Sequence, residues 1–190
     1  MKKLILTLAL AAVAAVCANA QIGVGVGYGT KQFNDNSDNL AGLYVGADYS
    51  VPIPAVNGLC ATAGLEFAMY SHKTDNTSVK ENYLAVPVLF NYAIPVADVI
   101  KVVPFAGPTF SYGLSSQSSI TALGATVTTD NYDGTDYTQF DILVGGGLAL
   151  IVSDMVRVNV GYNIGLLDRD KSDNTTLKTS GLHFGVGFLF

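Results

Sequence analysis

The chain has 190 residues, of which 49% are hydrophobic, and carries 10 Lys and Arg against 15 Asp and Glu, a formal net charge of −5. An acidic chain without clustered Lys and Arg excludes nucleic-acid binding. The apolar residues are spread in alternation rather than gathered in long runs, so spanning helices are excluded as well.

The chain opens with Lys2-Lys3, an uncharged run from Leu4 to Ala18, and Ala18-Asn19-Ala20. A basic start, an apolar run of about fifteen residues and an Ala-x-Ala end predict a signal peptide over 1–20, cleaved before Gln21. Cys17 follows Val16, whereas a lipoprotein signal places Gly or Ala there, so lipidation is not expected. Removing Lys2 and Lys3 leaves 8 basic and 15 acidic side chains, a net charge of about −7. Only Cys60 survives, which rules out an internal disulfide.

The mature region, 21–190, reads as one domain of eight strands. The first places Ile22, Val24, Val26 and Tyr28 on one face and glycines 23, 25, 27 and 29 on the other. The strict period of two does not match a nucleotide-binding G-x-G-x-x-G loop. Strand two, about 41–51, turns Leu43, Val45, Ala47, Tyr49 and Val51 outward and Asp48 inward. Strand three, about 59–72, has Leu65, Phe67 and Met69 outside and Glu66 inside. Strand four, about 83–92, contains Pro87, which cannot donate to a ladder and implies an edge or a bulge. In strand five Val103 and Phe105 share a face while Phe110, Tyr112 and Leu114 have the opposite parity, predicting a β-bulge near Gly107-Pro108. Strand six, about 137–152, turns Phe140, Ile142, Val144, Leu148 and Leu150 outward. Strand seven turns Val156, Val158, Val160, Tyr162 and Ile164 outward and Arg157 and Asn159 inward.

The last strand, Gly181 to Phe190, carries Leu182, Phe184, Val186, Phe188 and Phe190 on one face. Strands of about ten residues, apolar outward and small or polar inward, are the units of a transmembrane β-barrel. The connections alternate: 31–39, 72–80, 115–136 and 168–178 are long and polar, and those between are short or Pro-bearing. Long loops mark the extracellular side, which places both termini in the periplasm. Tyr28, Tyr70, Tyr83, Tyr112, Tyr137 and Phe140 are then expected at the outer rim. Tyr49, Phe90, Tyr92, Phe105, Phe188 and Phe190 are expected at the inner one.

His183, Gly185, Phe188 and Phe190 follow a polar-x-Gly-x-x-aromatic-x-aromatic pattern that resembles the C-terminal assembly signal of bacterial outer-membrane barrels. With Tyr83-Leu-Ala-Val-Pro-Val-Leu89, Pro104-Phe-Ala-Gly-Pro108 and the glycine strand Val144 to Leu148, the chain resembles the PorT-like, OmpX-like outer-membrane β-barrel domains. Ala85 departs from that pattern, which usually has an acidic or amide residue there. The resemblance implies an integral protein of the bacterial outer membrane, in contact with its lipid and its assembly machinery.

The expected fold is therefore an all-β, eight-stranded, antiparallel, up-and-down transmembrane barrel, monomeric, with an N-terminal signal peptide. Eight strands leave a bore just filled by side chains. Asp48, Glu66, Asp141, Arg157, Asn159, Asn163 and His183 should fill it, with Arg157 bonding Glu66 or Asp48. No catalytic residues, cofactor or metal are predicted. Ser71 and His72 are neighbours on a strand and face opposite sides, so they cannot work as nucleophile and base. The acidic stretches 34–39 and 168–174 lack the register of an EF-hand loop. A structural or surface-interacting role through the extracellular loops follows, with a small porin or transporter as the alternative.

Overall fold

The computed structural model describes residues 21–34, 39–122, 125–133, 137–170 and 176–190; the signal-peptide reading, on 1–20, lies outside them. Ten strands follow in order: β1 (Gln21–Phe33), β2 (Leu40–Pro52), β3 (Leu59–Lys73), β4 (Thr77–Tyr92), β5 (Ile94–Ala97), β6 (Ile100–Ala122), β7 (Ala125–Asp130), β8 (Phe140–Val152), β9 (Val156–Gly165) and β10 (Thr179–Leu189). Eight of them form a ring in the order β4-β3-β2-β1-β10-β9-β8-β6, closed by β4 against β6. All pairs are antiparallel and neighbours in the ring are neighbours in the chain, so this is the expected up-and-down barrel. β5 and β7 pair only with β6, at its two opposite ends.

Burial is inverted relative to a water-soluble sandwich. Val26, Leu43, Leu65, Leu148, Leu182 and Phe188 are exposed, while Lys31, Glu81, Asp141 and Arg169 are buried. The period-two alternation turns the apolar set outward, which is stable only where that face meets lipid.

Strand extends into three predicted loops and takes up most of two of them. β1 runs through Lys31 to Phe33, β3 and β4 leave only 74–76 between them, and the 115–136 region is mostly the β6–β7 hairpin. Beyond the membrane a strand has no apolar face to show, so the alternation that marks the wall fades. Hydroxyls take over the pairing, as in Ser119–Thr128 at 2.9 Å and Thr121–Thr126 at 3.0 Å.

The bulge predicted at Gly107-Pro108 is not there. Both ladders of β6 run through that point in constant register, and Phe105 and Phe110 lie on opposite sides of the wall. Val103 and Phe105 simply face inward. The bulge sits at Leu114, because Asn82 pairs with Ser115 and Tyr83 with Gly113. At Gly107 a Cβ would lie 2.1 Å from the Val88 carbonyl oxygen, so that glycine permits close approach of β4 and β6. Pro87 likewise causes no bulge: it pairs with Thr109, and the register resumes unchanged at Phe90–Ala106.

The predicted outer girdle is also corrected. Tyr28, Tyr112 and Phe140 are exposed on the wall. Tyr70, Tyr83 and Tyr137 point into the barrel mouth, where their hydroxyls or rings meet polar groups.

Candidate functional site

The lumen is a cavity of about 350 Å³ that reaches from Gln21, Lys101 and Asp154 at one end to Lys31, Tyr83 and Arg169 at the other. Two charged layers cross it. The lower one joins Arg157 on β9 to Asp48 on β2. Nη1 donates to Oδ1 at 3.0 Å, and Nη2 donates to Oδ2, giving the two-pronged geometry that a planar guanidinium favours.

The two side chains reach each other across β1 and β10, and glycine makes the space. A Cβ at Gly23 would sit 2.7 Å from the Asp48 carboxylate. Above this pair the Tyr44 ring lies over Gly27, where a Cβ would be 2.2 Å away, and its hydroxyl hydrogen-bonds with Asn159. Glu66, on β3, faces the same space but accepts no hydrogen bond from a described residue. Arg157 is therefore committed to Asp48 rather than to Glu66. His183 and Phe105 meet across the bore with ring centroids 6.1 Å apart, and Asn163 lies 3.5 Å from the His183 Nδ1.

The upper layer plugs the mouth. Glu81 on β4 accepts hydrogen bonds from Lys31 Nζ at 2.5 Å, Ser116 at 3.0 Å and Tyr137 at 3.1 Å, and from the Tyr83 hydroxyl. Arg169 enters from the β9–β10 connection and is 1% exposed. Its Nε donates to the Thr138 carbonyl at 3.0 Å, and Nη1 and Nη2 donate to the Tyr83 and Tyr132 hydroxyls at 3.2 and 3.3 Å. The guanidinium also lies 4.6 Å from the centre of the Tyr137 ring, which stacks on Tyr132. Such a sandwich favours a desolvated cation.

The backbone holds Arg169 in place: its N–H donates to Leu177 O, and its carbonyl accepts from Thr138 N–H, both at 2.8 Å. Burial pushes the Tyr132 and Tyr137 phenols up, with the Glu81 carboxylate adding to this at Tyr137, so both remain protonated. Asp141 accepts from the Thr179 hydroxyl at 2.8 Å, while its other oxygen is buried without a described partner.

Of the predicted interior residues, Asp48, Glu66, Arg157 and Asn159 thus share one region of the bore. In the C-terminal pattern His183 faces inward, Phe188 and Phe190 are exposed outside, and Phe190 is pinned to Ile22 by two backbone hydrogen bonds. The predicted loop 168–178 is not simply solvated, because Arg169 is part of the plug; 171–175 lie outside the described residues. Asp168 accepts from the N–H groups of Asp170 and Leu177 and so shapes that connection.

Sequence reasoning missed the upper layer altogether. Lys31 shares parity with Gly29, and Glu81 with Tyr83 and Ala85, so the alternation carried two residues further would have turned both inward. No comparable signal points to Arg169.

A closed ring of eight antiparallel strands, apolar outside and polar within, is the architecture of an outer-membrane barrel. Residues 4–190 match the family model for the outer membrane protein beta-barrel domain. The chain belongs to that family. It is an integral protein of the bacterial outer membrane.

Solved structures agree in fold. Ail, the attachment invasion locus protein of Yersinia pestis, is 13% identical with a TM-score of 0.51, over 90% of this chain and 99% of that one. Neisserial surface protein A is 14% identical with a TM-score of 0.50, over 89% and 96%. The outer membrane enzyme PagL is 12% identical with a TM-score of 0.53, over 87% and 97%. No match is found among curated proteins. At such identities the likeness concerns the fold alone, and it spans both enzymes and proteins named for attachment.

Proposed function

We propose that this protein is a plugged, non-enzymatic barrel that acts as a monomer, in a structural or surface-interacting role. The observation that carries this reading is the Lys31–Glu81–Arg169 plug. It spends buried charge on closing the mouth, which a conducting pore would keep open and wet. The surfaces left to act are the extracellular connections, above all the β6–β7 hairpin, which projects beyond the ring at the end opposite the termini. With long connections outside, both termini lie in the periplasm. Ser71 and His72 remain adjacent on β3 with opposite parity, which argues against a hydrolase site there.

Planar-bilayer recording of the refolded protein tests the reading. No stable conductance is expected, and stable ion passage would favour the small porin or transporter instead. The mature chain should begin at Gln21, which the mass of the exported protein decides. His183, Gly185, Phe188 and Phe190 serve as the assembly signal. Deleting Phe190 should therefore lower the amount inserted in the outer membrane, and normal insertion would reduce that motif to ordinary strand pattern.

A further inference from the structure

The outward face of the wall turns polar at one end only. Past Tyr28 on β1 come Thr30 and Gln32, past Met69 on β3 come Ser71 and Lys73, and Lys80 and Gln117 stand beside them on β4 and β6. Lipid hydrocarbon cannot rise past that line. On β2 the outward apolar run, Leu43 to Val51, covers about 20 Å of height at roughly 3.3 Å per residue and a tilt near 40°. Leu182 to Phe190 on β10 covers the same. The apolar band of such a barrel is about 25 Å tall. Phe140 to Val152 on β8 already spans about 30 Å by the same geometry, whereas the shorter runs on β2 and β10 gain apolar height only at the other end.

At that end the turns combine polar turn residues, Asn57-Gly58 and Ser153-Asp154, with exposed apolar ones. Ile53-Pro-Ala-Val56 joins β2 to β3, Ile94-Pro-Val-Ala97 with Val99 joins β4 to β6, and Met155 closes the β8–β9 turn. Turns in water are built mainly from Gly, Asn, Asp, Ser and Pro. Val56, Val96, Val99 and Met155 are all exposed, and Phe190 is 77% exposed. The rim also continues the lipid face without a break, since Phe90, Tyr92, Ile94 and Val96 keep one parity from β4 into β5, and Ile94 pairs with Val102. The charges here are few. Lys101 and Asp154 bond each other at 2.5 Å at the bore, and Asp98 lies in the turn after β5.

We propose that this apolar rim is a lipid-binding collar: the three turns and Phe190 sit in the acyl–headgroup boundary of the adjacent phospholipid leaflet rather than in water. The barrel thereby extends its apolar surface below the shorter strands and rides deep on the side of its termini. Asp98 marks the limit of that depth.

The chain contains no tryptophan, so a single introduced Trp reports its own surroundings. Val56→Trp, Val96→Trp and Met155→Trp, each refolded into phosphatidylcholine vesicles, should emit to the blue of Thr126→Trp on the exposed hairpin. Each should be quenched by brominated phospholipid, as Leu148→Trp in the belt should be. Emission like that of Thr126→Trp, with quenching by aqueous iodide and none by brominated lipid, would overturn the collar and leave the rim free for a periplasmic protein.

Discussion

The two charged layers of the lumen are built in different ways. The lower one, Arg157 with Asp48, stands on the inward parity of two strands and closes over a glycine seam. It is a single ion pair beside a Glu66 that no described donor satisfies. In the upper layer Glu81 has four donors drawn from three strands and a connection, and Arg169 arrives from outside the wall. One pair is a local product of alternation; the other is a network that exists only once distant segments have met. Burial follows the same division, with the Glu81 side chain 3% exposed and that of Arg157 22%.

The largest effect should follow from breaking the network at its centre. Glu81→Ala leaves Lys31 buried without its carboxylate and removes the acceptor of three hydroxyls. A broken buried pair costs about 3–5 kcal/mol, and urea unfolding from vesicles should register a loss of that size. A variant that unfolds like the parent would show that the plug is a passenger on a wall already stable without it.

Arg157→Ala should cost less, about 3 kcal/mol, because more of that pair keeps contact with water. It leaves Asp48 and Glu66 facing each other with no cation between them. If the layers are independent, the Glu81→Ala and Arg157→Ala losses should add to within about 0.5 kcal/mol in the double variant. A clear excess or shortfall in unfolding free energy would mean that the bore couples them and that the two layers are not separate units.

The same difference decides what was legible in the sequence. The ring, its strand order and the Asp48–Arg157–Asn159 region follow from period-two counting, which works wherever one face of a strand meets lipid. Phe105 was misplaced because a single aromatic on the inward parity looks like a phase flip, when it only fills the bore beside His183. Lys31 and Glu81 carry no such lipid-facing signal because the apolar alternation ends well before the strands do, at Phe33 on β1 and Thr77 on β4. Arg169 has no strand periodicity at all. Its position depends on Thr138, Leu177 and three tyrosines that approach it only in the folded chain.

A third ion pair gives the smallest effect and the sharpest test of burial as the deciding variable. Lys101 and Asp154 are 2.5 Å apart at the end of the bore, as close as Lys31 and Glu81, but their side chains are 39% and 63% exposed. Water already solvates both, so bringing them together gains little, and salt screens what is gained. Lys101→Met should therefore lower stability by less than about 0.5 kcal/mol, with the difference from the parent fading as salt is raised. Short contact distance is then shared by a pair worth several kcal/mol and one worth almost nothing. A loss at Lys101 approaching that at Glu81 would mean that distance, rather than desolvation and the number of donors, sets the value of charges in this lumen.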